Sequence, residues 1–167
     1  LIAIQMRAVQ LGNTVSLVFT TVLDQVQLGL VDEDEEVHEV TDRTYWENRG
    51  SKTTVSMVDE LVTIVKQLDP ALELKYNKFY IGLARQGQPD NFVIFRPQKN
   101  SLRVEPRLKK SEDIEQKIES AGLDVIEYDN RGGRYRIRLG KGEVKKHTDI
   151  LSGLFSLAHT EFDGGNS

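Results

Sequence analysis

No cysteine occurs among the 167 residues, which excludes disulfide scaffolds, thiolate nucleophiles and Cys-ligated zinc. No apolar run approaches the roughly 18 residues that a membrane-spanning helix requires, and no export-signal pattern opens the chain. With neither an export signal nor cysteine, a cytoplasmic protein without a membrane partner is the simplest reading. Proline (four), histidine (three) and aromatic residues (7%) are all sparse. What is present is 38% apolar and 29% charged residues with a net charge of -4, enough for one domain or one domain plus an attached piece of another. Leu1 enters a strand-like run without an initiator methionine or a cap, so the chain is expected to be a fragment of a longer protein.

The modest net charge conceals a strong partition. Residues 1–50 carry -6, residues 75–110 carry +7, residues 111–129 carry -6 and residues 130–146 carry +6. Such segregation predicts separate faces or modules. The stretch from Asp32 to Asp42 holds seven acidic residues and neither Lys nor Arg, so it reads as an extended linker. A calcium loop would need a turn glycine and spaced oxygen ligands, and the segment has neither.

Leu1 to Gln10 and Thr14 to Leu23 alternate apolar and polar residues about a Gly12-Asn13 turn, which predicts a β-hairpin. After the linker, Ser51 or Thr54 caps a helix carrying Val55, Val58, Leu61, Val62, Val65 and Leu68, stopped by Asp69-Pro70. Strand patterns follow over 72–83 (with Phe79, Ile81 and Leu83 in phase after a slip near Asn77), 91–96 and 101–108. Ser111 caps a short acidic helix that Gly122 closes. A second hairpin pairs 125–128 with 134–139, and a last helix begins near Val144. The predicted class is α+β: an antiparallel sheet of about five strands with helices on one face, in the order α-β-β-β-α-β-β-α after the N-terminal hairpin. The expected division is a hairpin piece over 1–31, the linker over 32–42, an α+β domain over 43–162 and a disordered tail over 163–167.

Tyr45-Trp46-Glu47, Ser51-Lys52, the run Leu74 to Gly82, Phe92 to Pro97, and Tyr128-Asp129 through Arg138 together resemble an uncharacterised bacterial and archaeal domain family labelled "predicted transport protein". The resemblance covers about residues 43 to 160. It implies a C-terminal appendage to a nuclease-like domain of the PD-(D/E)XK type, with the hairpin as the tail of that upstream domain. A weaker similarity in strand pattern, at the level of the fold alone, is to small frataxin-like α+β domains.

Catalytic signals are weak. Pro89-Asp90 followed by Glu105-Pro106-Arg107 imitates a magnesium-dependent nuclease motif, but Arg107 stands where a water-orienting Lys belongs. Asp69-Pro70 with Glu73 and Lys75 is reversed in order and too compact. His147 and His159 are expected on one helix about 18 Å apart, too far to share a metal, and His38 falls in the linker. Arg131 to Arg134 reads as a hairpin turn rather than a phosphate loop, and Gly140-Lys141-Gly142 lacks phosphate-loop spacing. The expectation is therefore a non-enzyme with no catalytic residue, metal or cofactor.

The stronger signal is periodic. Arg134, Arg136 and Arg138 alternate with Tyr135, Ile137 and Leu139, which places three guanidinium groups on one face of a strand. Arg103 and Arg107 do the same on another strand, and Arg96 and Lys75 follow the same logic. An Arg-lined face suits phosphate contacts, so DNA or RNA is the expected partner, together with the upstream nuclease-like domain. The alternative is an ordinary solvated face on a protein-binding or self-assembly module, for example a homodimer, with no nucleic-acid role. Of the five aromatics Tyr45, Trp46, Tyr76, Phe79 and Tyr80, the apolar phase assigns most to the core.

Overall fold

A computed structural model describes residues 2–11, 14–24 and 41–164. The chain divides into two compact units, Leu1–Glu39 and Val40–Ser167. In the first, β1 (Ile2–Leu11) pairs antiparallel with β2 (Thr14–Asp24), with a register shift between Ala3 and Ile4. The predicted Gly12-Asn13 turn and the acidic segment as far as residue 40 lie outside the described residues.

The second unit starts with α1 (Arg43–Arg49), capped by Asp42, whose carboxylate accepts the Tyr45 N–H at 2.8 Å. Asp42, which its charge places in the linker, thus belongs to the fold as the cap of α1. Helix α2 (Lys52–Leu68) opens on a capping box in which Ser51 and Thr54 each accept the other's backbone N–H. It buries Val55, Val58, Leu61 and Val65 along one stripe and ends at Asp69. Then come β3 (Leu72–Tyr76), β4 (Ile81–Arg85), β5 (Gln88–Pro89), β6 (Val93–Pro97), β7 (Leu102–Pro106), α3 (Glu112–Ser120), β8 (Asp124–Asp129), β9 (Arg134–Leu139), α4 (Glu143–Lys146) and α5 (Thr148–Gly164).

The α+β class and the antiparallel sheet are as expected, but the sheet has seven strands, in the order β3-β4-β6-β7-β9-β8 with β5 beside β4. The apparent phase slip at Asn77 is a turn that splits one predicted strand into β3 and β4. Gln86 and Gly87, both at positive φ, form a two-residue loop that returns the chain into β5. The predicted last helix is broken at His147, so His147 caps α4 while His159 sits on α5. Helix α5 also extends through Asp163 and Gly164, which had been assigned to the tail.

The core lies between one face of the sheet and the helices. Leu83, Val93, Phe95, Val104, Ile137 and Leu139 face Val58, Leu61, Leu154 and Phe155, all essentially fully buried. No described helix is long and apolar enough to cross a membrane.

At Gly82, on the opposite face, an added Cβ would lie 2.3 Å from Asn91 Oδ1, the atom that accepts the Leu83 N–H at 2.9 Å. Gly82→Ala should therefore displace Asn91 and orphan that amide, lowering stability by about 1–3 kcal/mol. A denaturant midpoint equal to wild type would show that Asn91 can move without loss.

Candidate nucleic-acid interface

Strand parity and register decide which side chains meet on the polar face. On β6 and β7, Ile94 stands opposite Glu105 and Arg96 opposite Arg103. On β7 and β9, Arg103 stands opposite Arg138, and an isolated bridge joins Arg107 to Arg134. On β9 and β8, Arg138, Arg136 and Arg134 stand opposite Asp124, Glu127 and Asp129. At the far edge, Lys75 on β3 is opposite Gly82. Register thus brings the predicted cations from β6, β7 and β9 together, with Lys75 separated from them by β4.

Like charges directly opposite one another destabilise a sheet, and here they are offset by Glu105. Its side chain is 1% exposed. Arg96 Nε donates to its Oε1 at 2.8 Å, Arg103 Nε lies 2.7 Å from the same oxygen, and Arg136 Nε lies 3.9 Å from Oε2. The last two nitrogens are buried without a hydrogen-bond partner, so their contact with Glu105 is one of charge. Arg136 also pairs with Glu127, and with Asp129 at 3.1 Å. Arg134 donates to two carbonyls, Glu105 O at 3.0 Å and Asn91 O at 2.8 Å. Burial holds its guanidinium down to about 10, against the pull of Glu105.

These contacts correct the reading of Arg134 and Arg136 as phosphate-binding groups of an open face, because both guanidinium groups are already held by protein partners. Arg96, Arg103, Arg134 and Arg136 form a half-buried network over Glu105, while Lys75, Arg107 and Arg138 remain exposed. Arg138 makes only a loose pair with Asp124, at 3.4 Å between half-exposed side chains.

Phe79 is a second correction. Read as core by its phase with Ile81 and Leu83, it sits instead on the β3–β4 turn and is 52% exposed. Helix α1 holds that turn in place. Trp46 Nε1 donates to Asn77 O at 3.0 Å, and Tyr45 Oη and Arg49 Nη1 donate to Lys78 O at 3.1 and 2.8 Å. Arg96 Nη1 donates to Phe79 O at 2.6 Å, and its guanidinium stacks 5.7 Å from the Tyr80 ring. Of the other aromatics, Trp46 is buried and Tyr45 and Tyr76 are half-buried against the core.

The two decoy carboxylates serve different networks. Asp90 pairs with Arg85 at 3.0 Å, and Arg85 Nη2 also reaches Asp69 at 3.1 Å and His159 Nε2 at 3.0 Å. Burial pushes the Asp90 carboxyl above its ordinary range. Arg107 joins neither network; it stacks over Phe162 at 5.6 Å. Among the described residues no group of three or more His, Asp or Glu side chains could hold a metal ion. His38 lies outside the described residues.

No protein-family model matches the chain, and neither a curated protein nor a solved structure does.

Proposed function

We propose that this chain is an accessory, non-catalytic nucleic-acid-binding domain, appended to a nuclease-like protein, that takes single strands on its polar sheet face. The observation that carries the reading is Phe79, an exposed ring on a turn clamped by α1, at the border of a face lined with arginine. A rigid aromatic beside cations is the arrangement on which an unpaired base stacks while its phosphates find charge. In this reading Phe79 takes the base. Lys75, Arg138 and the outward edges of Arg96 and Arg103 take phosphates, and the Glu105 network keeps the guanidinium groups in place.

Fluorescence anisotropy with labelled single strands and duplexes tests this. Single strands should bind better than duplex, with log affinity falling against log salt by about 0.7 per phosphate contacted. Phe79→Ala should weaken binding by about 1–3 kcal/mol per stacked base, and Lys75→Glu with Arg138→Glu should weaken it further while the protein stays folded. Equal affinity for duplex, or no effect of Phe79→Ala, would refute the reading.

Self-assembly is the second reading, supported by Val125 and Ile126, both 38% exposed on β8, an edge strand. A monomer by sedimentation at every concentration would remove it.

A further inference from the structure

At the opposite end of β7 from Arg103, about 13 Å along the strand, lies a cleft of about 620 Å³. Three segments wall it: the chain leaving β7, the β8–β9 hairpin and the end of α5. The side chains that matter are Arg107, Lys109 and Arg131, the aromatic rings of Tyr128 and Phe162, and Glu161. The volume is that of an ordinary small-ligand site.

Among the described residues that line it, three cations stand against one carboxylate, Glu161. Among the described residues, Arg107, Lys109 and Arg131 have no carboxylate within ion-pair distance, and all three are exposed. Acidic groups are nearby but already committed. Glu161 accepts the Lys109 backbone N–H at 3.0 Å. Asp129 Oδ1 accepts the backbone N–H groups of Arg131 and Gly132 at 3.1 and 3.2 Å, and Asp129 Oδ2 pairs with Arg136. The Gly132 bond, foremost, holds the Asp129 carboxyl below its ordinary range. On the other side, Arg107 adds to the burial that depresses Arg134, so positive potential accumulates at this end of the sheet.

The walls are prearranged. Tyr128 Oη donates to Leu108 O at 2.9 Å, and the Tyr128 ring packs edge-on against Tyr135 at 4.8 Å. Phe162 packs on the core with the Arg107 guanidinium above it. Gly133, at φ 62°, turns the hairpin tightly enough that its carbonyl accepts the Leu108 N–H at 3.0 Å, which ties the Arg131 loop to the chain bearing Lys109.

We infer that this cleft binds a nucleotide phosphate monoester, its phosphate held by Arg107, Lys109 and Arg131 and its base or sugar laid against Tyr128 and Phe162. Cations at three corners match the charge of a terminal phosphate better than that of a phosphodiester, and the aromatic wall suits the attached nucleoside. The same chemistry is offered by a free mononucleotide and by the phosphorylated end of a nucleic-acid strand. The site is independent of Phe79 and of the sheet face.

Calorimetric titration of the full chain with AMP, adenosine and inorganic phosphate tests the inference. AMP should bind at least about tenfold more tightly than adenosine, and more tightly than phosphate alone. Lys109→Gln with Arg131→Gln should lose at least about tenfold in AMP affinity with an unchanged Tm, because neither side chain has an internal partner. Lys145→Gln with Lys146→Gln on α4 should bind as wild type. Competition by a 5′-phosphorylated trinucleotide but not its 5′-hydroxyl form would identify a strand end as the ligand. AMP binding without such competition would identify a free nucleotide. Equal binding of AMP and adenosine, absence of binding by every probe, or full affinity in the Lys109/Arg131 variant would overturn the inference.

Discussion

Glu105→Ala is expected to destabilise the second unit by about 3–5 kcal/mol, because it deletes a buried carboxylate and leaves Arg96 and Arg103 without their acidic partner. Arg96 and Arg103 both lie within 2.8 Å of Glu105 Oε1 and stand directly opposite one another across β6 and β7. Without the carboxylate that pairing is a bare repulsion in a half-buried site. For a domain of this size the loss corresponds to a fall in Tm of roughly 10–20 °C. Glu105→Gln keeps an acceptor for Arg96 Nε but removes the charge, so its loss should be smaller. It should also raise affinity for a single strand, since one negative charge leaves the face. The pair of variants separates two roles for the residue. If Glu105 only balanced a solvated surface, Glu105→Ala would change stability by no more than about 0.5 kcal/mol, and the network described above would be wrong.

Period-two alternation is a local property, and for that reason β9 was legible in the sequence. Tyr135, Ile137 and Leu139 point into the core, and Arg134, Arg136 and Arg138 share the other face. The caps of α2 and α3 were legible for the same reason, since Ser51 and Ser111 act within three residues. What alternation cannot supply is the neighbour across the strand. That Arg134 donates to Asn91 O depends on a contact 43 residues away in the chain. That Glu105 gathers Arg96, Arg103 and Arg136 depends on the register of β6, β7 and β9. Phe79 was misplaced because its phase with Ile81 is that of a strand, whereas the turn is held by Trp46 and Tyr45, more than thirty residues earlier. The cleft was invisible for a further reason. Arg131 and Lys109 read as ordinary surface cations until the β8–β9 hairpin and α5 close around them.

Arg134→Glu combined with Arg136→Glu is expected to abolish cooperative folding of the second unit. Arg134 ties β9 to the backbone of β7 and to the segment before β6 through two carbonyls at 3.0 and 2.8 Å. Arg136 spans Glu105, Glu127 and Asp129. The double reversal orphans those carbonyls and adds two carboxylates beside a buried one, a cost of at least about 5 kcal/mol. That matches the whole stability of many domains. A control reversal at Lys75 and Arg138, both exposed, removes only a loose surface pair and should change stability by about 1 kcal/mol or less. The pH dependence has a definite sign. The Arg134 guanidinium is held down to about 10, below its unfolded value, so between that pH and the ordinary guanidinium range the unfolded chain binds more protons. The contribution of this one group to stability therefore rises with pH across that window, and below about pH 10 its burial penalty is present in full. Titration of the arginine side chains by carbon-13 NMR should show Arg134 losing its proton near 10. A double-reversal variant that melts cooperatively at the wild-type Tm would place both side chains back in solvent.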